Sequence, residues 1–290
     1  MTMSILPAQM QLTMEKASNG EGLDVSDEKL KEIIAKATQE FEEGLTRQLG
    51  RGRDKFRMRM SNIGRPLCQL QMEKAGAERA RLPANHIVRM MIGDAVEIYI
   101  TALLRITGAN ITGGKDKVSW DIGGTTIRGE SDIDFDGAVW DIKSASPWAY
   151  KNKWAKGYQA LAEEDSFGYI GQLYGYSEGQ GKDMGGWVVA DKSSGEVTFV
   201  EAAPSQQALD EIHDGIKDRI EKIESDAPFE RCFEPVDEYF NRKPTGNKRL
   251  GTQCSFCDFK HSCWKDLKYK PQAQSKAKSP RHYWYTEYSE

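Results

Sequence analysis

Apolar residues recur at helical spacing in the segment SDEKLKEIIAKATQEFEEGLTRQLGRG, where Leu30, Ile33, Ile34, Ala37 and Phe41 share one face. Ser26 stands where a helix cap belongs, with acids just after it. RPLCQLQMEKAGA, containing Cys68, follows a basic stretch, and a second helix is predicted over about 86–106 in NHIVRMMIGDAVEIYITALLRI. Strand-like runs come next: KVSWDI, TTIRGESDIDF, AVWDIKSAS and GGWVVADKSSGEVTFVEA. SFGYIGQLYGYSEG, between the last two, and SQQALDEIHDGIKDRIEKIES, after them, read as helices. This alternation predicts an α/β or α+β fold with a mixed sheet. The expected organisation is a loose tail over 1–26, a helical and basic segment over 27–67 and a core over 68–230. A loop-rich cysteine segment follows over 231–270, then a second tail over 271–290.

Composition narrows the class. The 290 residues are 39% hydrophobic and 29% charged, with mean hydropathy −0.64, which suits a polar globular protein. No apolar run approaches the roughly 20 residues of a membrane helix. The first residues, MTMSILPAQMQLTMEKA, lack the basic and apolar regions of a secretory signal, so a cytoplasmic location is expected. Net charge is −4, but local stretches are basic. Arg47, Arg51, Arg53, Lys55, Arg57, Arg59 and Arg65 face only Asp54; Lys143, Lys151, Lys153 and Lys156 are interleaved with aromatics; Arg242, Lys243, Lys248 and Arg249 cluster again. Such segments suit a polyanion with stackable bases, or simply solvated loops.

TTIRGESDIDFDGAVWDIKSAS carries the most information. Asp136-Gly137 between alternating runs predicts a two-residue type I′ hairpin. That turn sets Phe135 opposite Ala138, Ile133 opposite Trp140, Asp132 opposite Asp141 and Glu130 opposite Lys143. Ile133, Phe135, Ala138, Trp140 and Ile142 then form one apolar face, while Glu130, Asp132, Asp134, Asp141 and Lys143 share the other. Opposed carboxylates repel, and a divalent cation such as Mg²⁺ relieves that repulsion. A lysine on the same face can orient or deprotonate an attacking water and steady charge on a phosphate. A hydrated, solvent-facing strand pair is the plainer alternative.

Glu97 sits among apolar residues of MMIGDAVEIYI, with Gly93 one turn earlier on the same face. A carboxylate in that position faces either a cation or the helix's wet side. Gln172 and Tyr176 are four residues apart on one helical face and suit substrate hydrogen bonds or ordinary packing. Five cysteines without a secretory signal are not a disulfide framework. Cys254-x-x-Cys257 with Cys263 nearby reads as zinc or cluster ligation, which spacing barely separates. His261 keeps a Cys₃His zinc site open, and Cys232 is read as a packed thiol.

The order Glu97, Gly129-x-x-Asp132, Asp141-x-Lys143 and Gln172-x-x-x-Tyr176 resembles the RecB-like branch of the PD-(D/E)XK nuclease superfamily. With Cys68, Cys254, Cys257 and Cys263 the chain is similar to its iron–sulfur subset. That subset includes AddB-type exonuclease domains and the CRISPR-adaptation nuclease with its phage-encoded relatives. The resemblance spans residues 68–263. It implies a restriction-endonuclease-like sheet and Mg²⁺ or Mn²⁺ held by Glu97, Asp132, Asp141 and the Ile142 carbonyl. It also implies Lys143 as catalytic lysine, and Gln172 and Tyr176 on DNA. Many relatives carry His at the place of Glu97, and Asp134 rivals Asp132, which the Gly-x-x-Asp match favours.

The four cysteines would hold a [4Fe–4S] cluster, with zinc as the alternative, stapling distant segments. The implied activity is an exonuclease on single-stranded DNA or DNA ends, in phage or mobile-element recombination and in the host cytoplasm if phage-encoded. An endonuclease or nickase, or a non-catalytic DNA-binding adaptor, are the rivals. No G-x-x-x-x-G-K-[ST] loop is present, so unwinding would need a helicase partner.

Overall fold

A computed structural model describes residues 5–50, 55–113 and 115–289. Four helices come first: α1 Ile5–Ser18, α2 Asp27–Leu49, α3 Leu67–Lys74 and α4 His86–Ile106. The Ser26 hydroxyl accepts the Lys29 N–H at 3.2 Å, and Asp27 and Glu28 sit at the positive end of the α2 dipole. Strands β1 Ile111–Thr112, β2 Asp116–Ile122, β3 Thr125–Ser131, β4 Ile133–Phe135 and β5 Ala138–Ala145 follow. Helices α5 Pro147–Asn152, α6 Tyr158–Glu163 and α7 Tyr169–Gln180 cross over to β6 Asp183–Asp191 and β7 Val197–Glu201. Helix α8 Gln206–Glu224 comes next, then β8 Val236–Phe240 and β9 Lys243–Arg249. The chain ends with α9 Thr252–Ser255, α10 Lys260–Cys263, β10 Lys268–Pro271 and β11 His282–Glu287.

The fold is α+β. Its main sheet has the order β1-β4-β5-β6-β7, mixed because β5 and β6 are parallel and the other pairs antiparallel. Asp136 (φ 47°) and Gly137 (φ 82°) both adopt left-handed backbone, as a type I′ turn demands, and Phe135 pairs with Ala138 and Ile133 with Trp140 as expected. The apolar face of this hairpin packs on Ile100 and Leu104 of α4. Its opposite face presents Val139 and Ala145 to a second core that includes Leu173 and Tyr176 of α7 and Ile216 and Ile220 of α8.

The register expected nearer the carboxylates is only partly realised. The run 125–135 is not one strand: β3 pairs with β2 in a separate two-stranded sheet, and β4 joins the main sheet. Glu130 therefore lies opposite Lys117, not Lys143, and is exposed. Asp132 occupies the joint between the two strands.

Three further expectations change. The loose tail over 1–26 contains α1, whose Leu6 and Met10 are buried in the α4-side core. The tail over 271–290 contributes to a C-terminal sheet of order β10-β11-β9-β8, with Tyr285 fully buried and hydrogen-bonded to Glu238. Within the basic stretch after Lys143, Trp154 is core and Tyr150 half-buried, so only Trp148 of its three aromatics projects into solvent. Among the described residues no helix is long and apolar enough to cross a membrane.

Candidate functional site

The hairpin and α4 bring the acidic residues together. Asp141 and Lys143, two apart on β5, form an ion pair, with Asp141 almost wholly buried. Asp132 reaches toward them from the β3–β4 joint. One of its oxygens accepts the Ile142 N–H at 2.8 Å, which fixes the carboxylate beside the strand, and its side chain lies within hydrogen-bonding reach of Asp141. Glu97 joins through a residue the sequence did not mark. Lys115 ion-pairs with Glu97, and its Nζ lies 3.9 Å from Asp132. Helix α4 approaches β5 closely at Gly93, where an added Cβ would sit 3.6 Å from the Ser144 hydroxyl.

Lys115 precedes β2 with φ 61°, and its N–H donates to the Ser131 carbonyl at 3.0 Å. That bond lays the residue alongside the end of β3, next to Asp132. Only a three-dimensional pairing places it there, since nothing in GGKDKV distinguishes Lys115 from a turn lysine. Asp134, the rival acid, is buried and tied to Lys182 at 2.6 Å, away from this group. Gln172 lies one turn before Tyr176 on α7, and the Tyr176 phenol is buried near Asp132, Asp141 and Lys143. Tyr169, at the start of α7, also approaches, with the Lys143 ammonium 5.5 Å from its ring centroid.

Burial sets the electrostatics. It pushes the Asp141 carboxyl up to about 7; Lys143 opposes the rise and Asp132 adds to it. Burial alone would lower Lys143, but Asp141 and Asp132 outweigh it, so the ammonium is held in its charged form. Burial likewise raises Tyr176, reinforced by the two aspartates. Asp141 Oδ2 is buried and, despite the adjacent ammonium, receives no well-aligned hydrogen bond. That oxygen already meets the Lys143 ammonium, and Asp132 is the carboxylate beside it; two such acids are oxygen donors of the kind a hard cation takes. Among the described residues, however, no group of three or more His, Cys, Asp or Glu side chains stands in metal-holding geometry, and lysines neutralise the acids instead.

The cysteines converge from both halves of the chain. Cys68 of α3, Cys254 of α9, Cys257 of the loop after it and Cys263 of α10 line one cavity with Phe259 and Trp264. Burial raises the Cys254 thiol to about 11, and neighbouring cysteines add to the rise. Cys257 moves the same way. Burial and mutual repulsion hold these thiols against ionisation, and among the described residues the cysteines, like the acids, form no group of three or more in metal-holding geometry. His261 instead packs edge-on against Trp284 at 4.8 Å. Cys232 is not simply packed: it is exposed, and its Sγ accepts the Cys68 N–H at 3.1 Å.

The basic segments divide. Arg47 pairs with Asp94 at 3.1 Å and Arg65 with Glu73 at 3.7 Å, while Lys55 and Arg57 are exposed. Arg51, Arg53 and Asp54 lie outside the described residues. Lys151, Lys156, Arg242, Lys243 and Lys248 face solvent, and Arg249 covers the Tyr283 ring at 4.5 Å.

No family model matches this chain, and no curated protein does. Among solved structures, the crystal structure of SSO0001 is similar at 13% identity, covering 77% of this chain and 93% of that one, with a TM-score of 0.43. A likeness at that level carries no argument about activity.

Proposed function

We propose that the chain is a metal-dependent deoxyribonuclease of the PD-(D/E)XK type, acting on single-stranded DNA or DNA ends. The observation that carries this reading is the meeting of Asp132, Asp141 and Lys143 at one end of the hairpin, with Glu97 joined to them through Lys115. Glu97, Asp132, Asp141 and the Ile142 carbonyl would hold Mg²⁺ or Mn²⁺. Bound there, the cation would polarise a phosphate oxygen and ease ionisation of water. Lys143, kept protonated by its aspartates, orients the incoming water and donates to the phosphate oxygens as charge builds. The Ile142 N–H fixes Asp132, and Gln172 and Tyr176 brace the α7 side near the scissile group. Cys68, Cys254, Cys257 and Cys263 would hold a [4Fe–4S] cluster, or zinc, as a structural staple across the cavity they share.

Digestion of end-labelled single strands by protein purified without air, with Mn²⁺ or Mg²⁺, tests the reading. Cleavage by the parent and its loss in Lys143→Ala support it; covalently closed circles left intact mark an exonuclease, and nicked circles an endonuclease. Pairing of the carboxylates with Lys115 and Lys143 favours a second reading, a non-catalytic DNA-binding adaptor. Binding of DNA without cleavage under either metal selects it.

A further inference from the structure

The apolar surface nearest the candidate site is a run of rings. Phe256 and Phe167 are 69% and 48% exposed, although neither belongs to a core. Their ring centroids lie 6.1 Å apart, and Phe167 lies 5.6 Å from Tyr169. Tyr169 in turn covers Lys143 at 5.5 Å. Three rings therefore lead from the loop between Cys254 and Cys257 to the lysine beside Asp141.

Both ends of the run are tied to backbone groups. Asp165 accepts the N–H groups of Tyr169 and Ile170 at 2.9 and 2.8 Å, which caps α7. Gly168 (φ 75°) nests against Gly64, where a Cβ would fall 2.1 Å from the Gly168 carbonyl oxygen, so the loop carrying Phe167 packs backbone to backbone at this point. At the other end, the Lys260 ammonium lies on the carbonyls of Ser255 and Cys257, at 3.1 and 3.3 Å, on either side of Phe256. Two exposed rings, Phe256 and Phe167, lead to the half-buried Tyr169, which packs on Trp154 at 5.3 Å, and offer faces of the kind on which unpaired bases stack.

We propose that Phe256, Phe167 and Tyr169 form a stacking track for the bases of single-stranded DNA, delivering the strand to Lys143. The proposal rests on the nuclease reading for its direction, but its test does not need cleavage. Fluorescence anisotropy of a labelled oligodeoxythymidylate, with EDTA present, compares the parent with Phe167→Ala, Phe256→Ala and the double variant. Each truncation should weaken binding by about tenfold and the pair by more. Phe167→Trp should restore affinity, and the slope of affinity against salt should stay unchanged because no charge is removed. A duplex of the same length should respond little.

Unchanged single-strand affinity in the double variant would overturn the track, as would absence of binding by the parent. If that variant instead loses self-association, the rings belong to a protein contact and the proposal fails. A parent that binds strands through these rings yet never cleaves them would retire the nuclease reading and leave the track standing.

Discussion

Asp132 approaches Asp141 from the only residue between β3 and β4, so one carboxylate stands on a joint while the other is locked inside the central strand. The joint gives Asp132 freedom to adjust, and the Ile142 N–H at 2.8 Å limits that freedom. Asp141 has none. It pairs with Trp187 of β6, just beyond the end of the β4 ladder, is almost wholly buried, and depends on Lys143 for compensation.

This enclosure predicts a pH dependence. The Asp141 carboxyl is raised from 3.8 to about 7, so the folded protein holds a proton there that the unfolded chain releases. The stability linked to this group is fully present below 3.8 and is lost as pH rises through about 7. Melting of metal-free protein across that range should show a steeper decline in the parent than in Asp141→Asn, and equal slopes would refute the assignment.

Lys115 stands where a cation bridging Glu97 and Asp132 would stand. Lys115→Met should therefore tighten Mn²⁺ binding by about tenfold, the equivalent of one partly exposed ion pair. Titration by electron paramagnetic resonance measures this directly; weaker binding in the variant would mean that Lys115 positions the acids instead of competing for them.

Metal analysis separates the cysteines. Ser at Cys68, Cys254, Cys257 or Cys263 should abolish bound iron or zinc and lower the melting temperature, because each lines the shared cavity. Cys232→Ser should retain the metal, since Cys232 does not line the cavity and accepts only the Cys68 N–H at the start of α3. A Cys254→Ala protein with unaltered metal content and melting curve would remove the staple.

Met10 is buried against the α4 side of the sheet with Leu6, Ile100 and Leu104. Truncation to Ala should cost about 2–4 kcal/mol in chemical denaturation. A loss below about 0.5 kcal/mol would mean that α1 docks weakly, as surface substitutions do.

Local signals made much of this visible in advance. Asp136-Gly137 dictates left-handed backbone, and the hairpin near it follows; His86–Ile106 matches its apolar pattern from end to end. Alternation failed at Asp132 because it reports which way side chains point, not which neighbour a strand pairs with, so Glu130 was assigned to the wrong partner. Helix α1 escaped because its anchoring is tertiary: Leu6 and Met10 are buried against α4, with Met14 packed beside them. The C-terminal sheet escaped because strands such as KPTGNKR carry almost no apolar face. Lys115 gained its place only through a backbone bond to Ser131.

The nested backbones of Gly64 and Gly168 have a mechanical consequence. Gly64 leads within four residues to Cys68, and Gly168 immediately precedes Tyr169, whose ring covers Lys143. With no side chains between them, the segment leading into the thiol cavity and the turn that sets the Tyr169 ring over Lys143 share one backbone contact, which a side chain at either glycine would force apart.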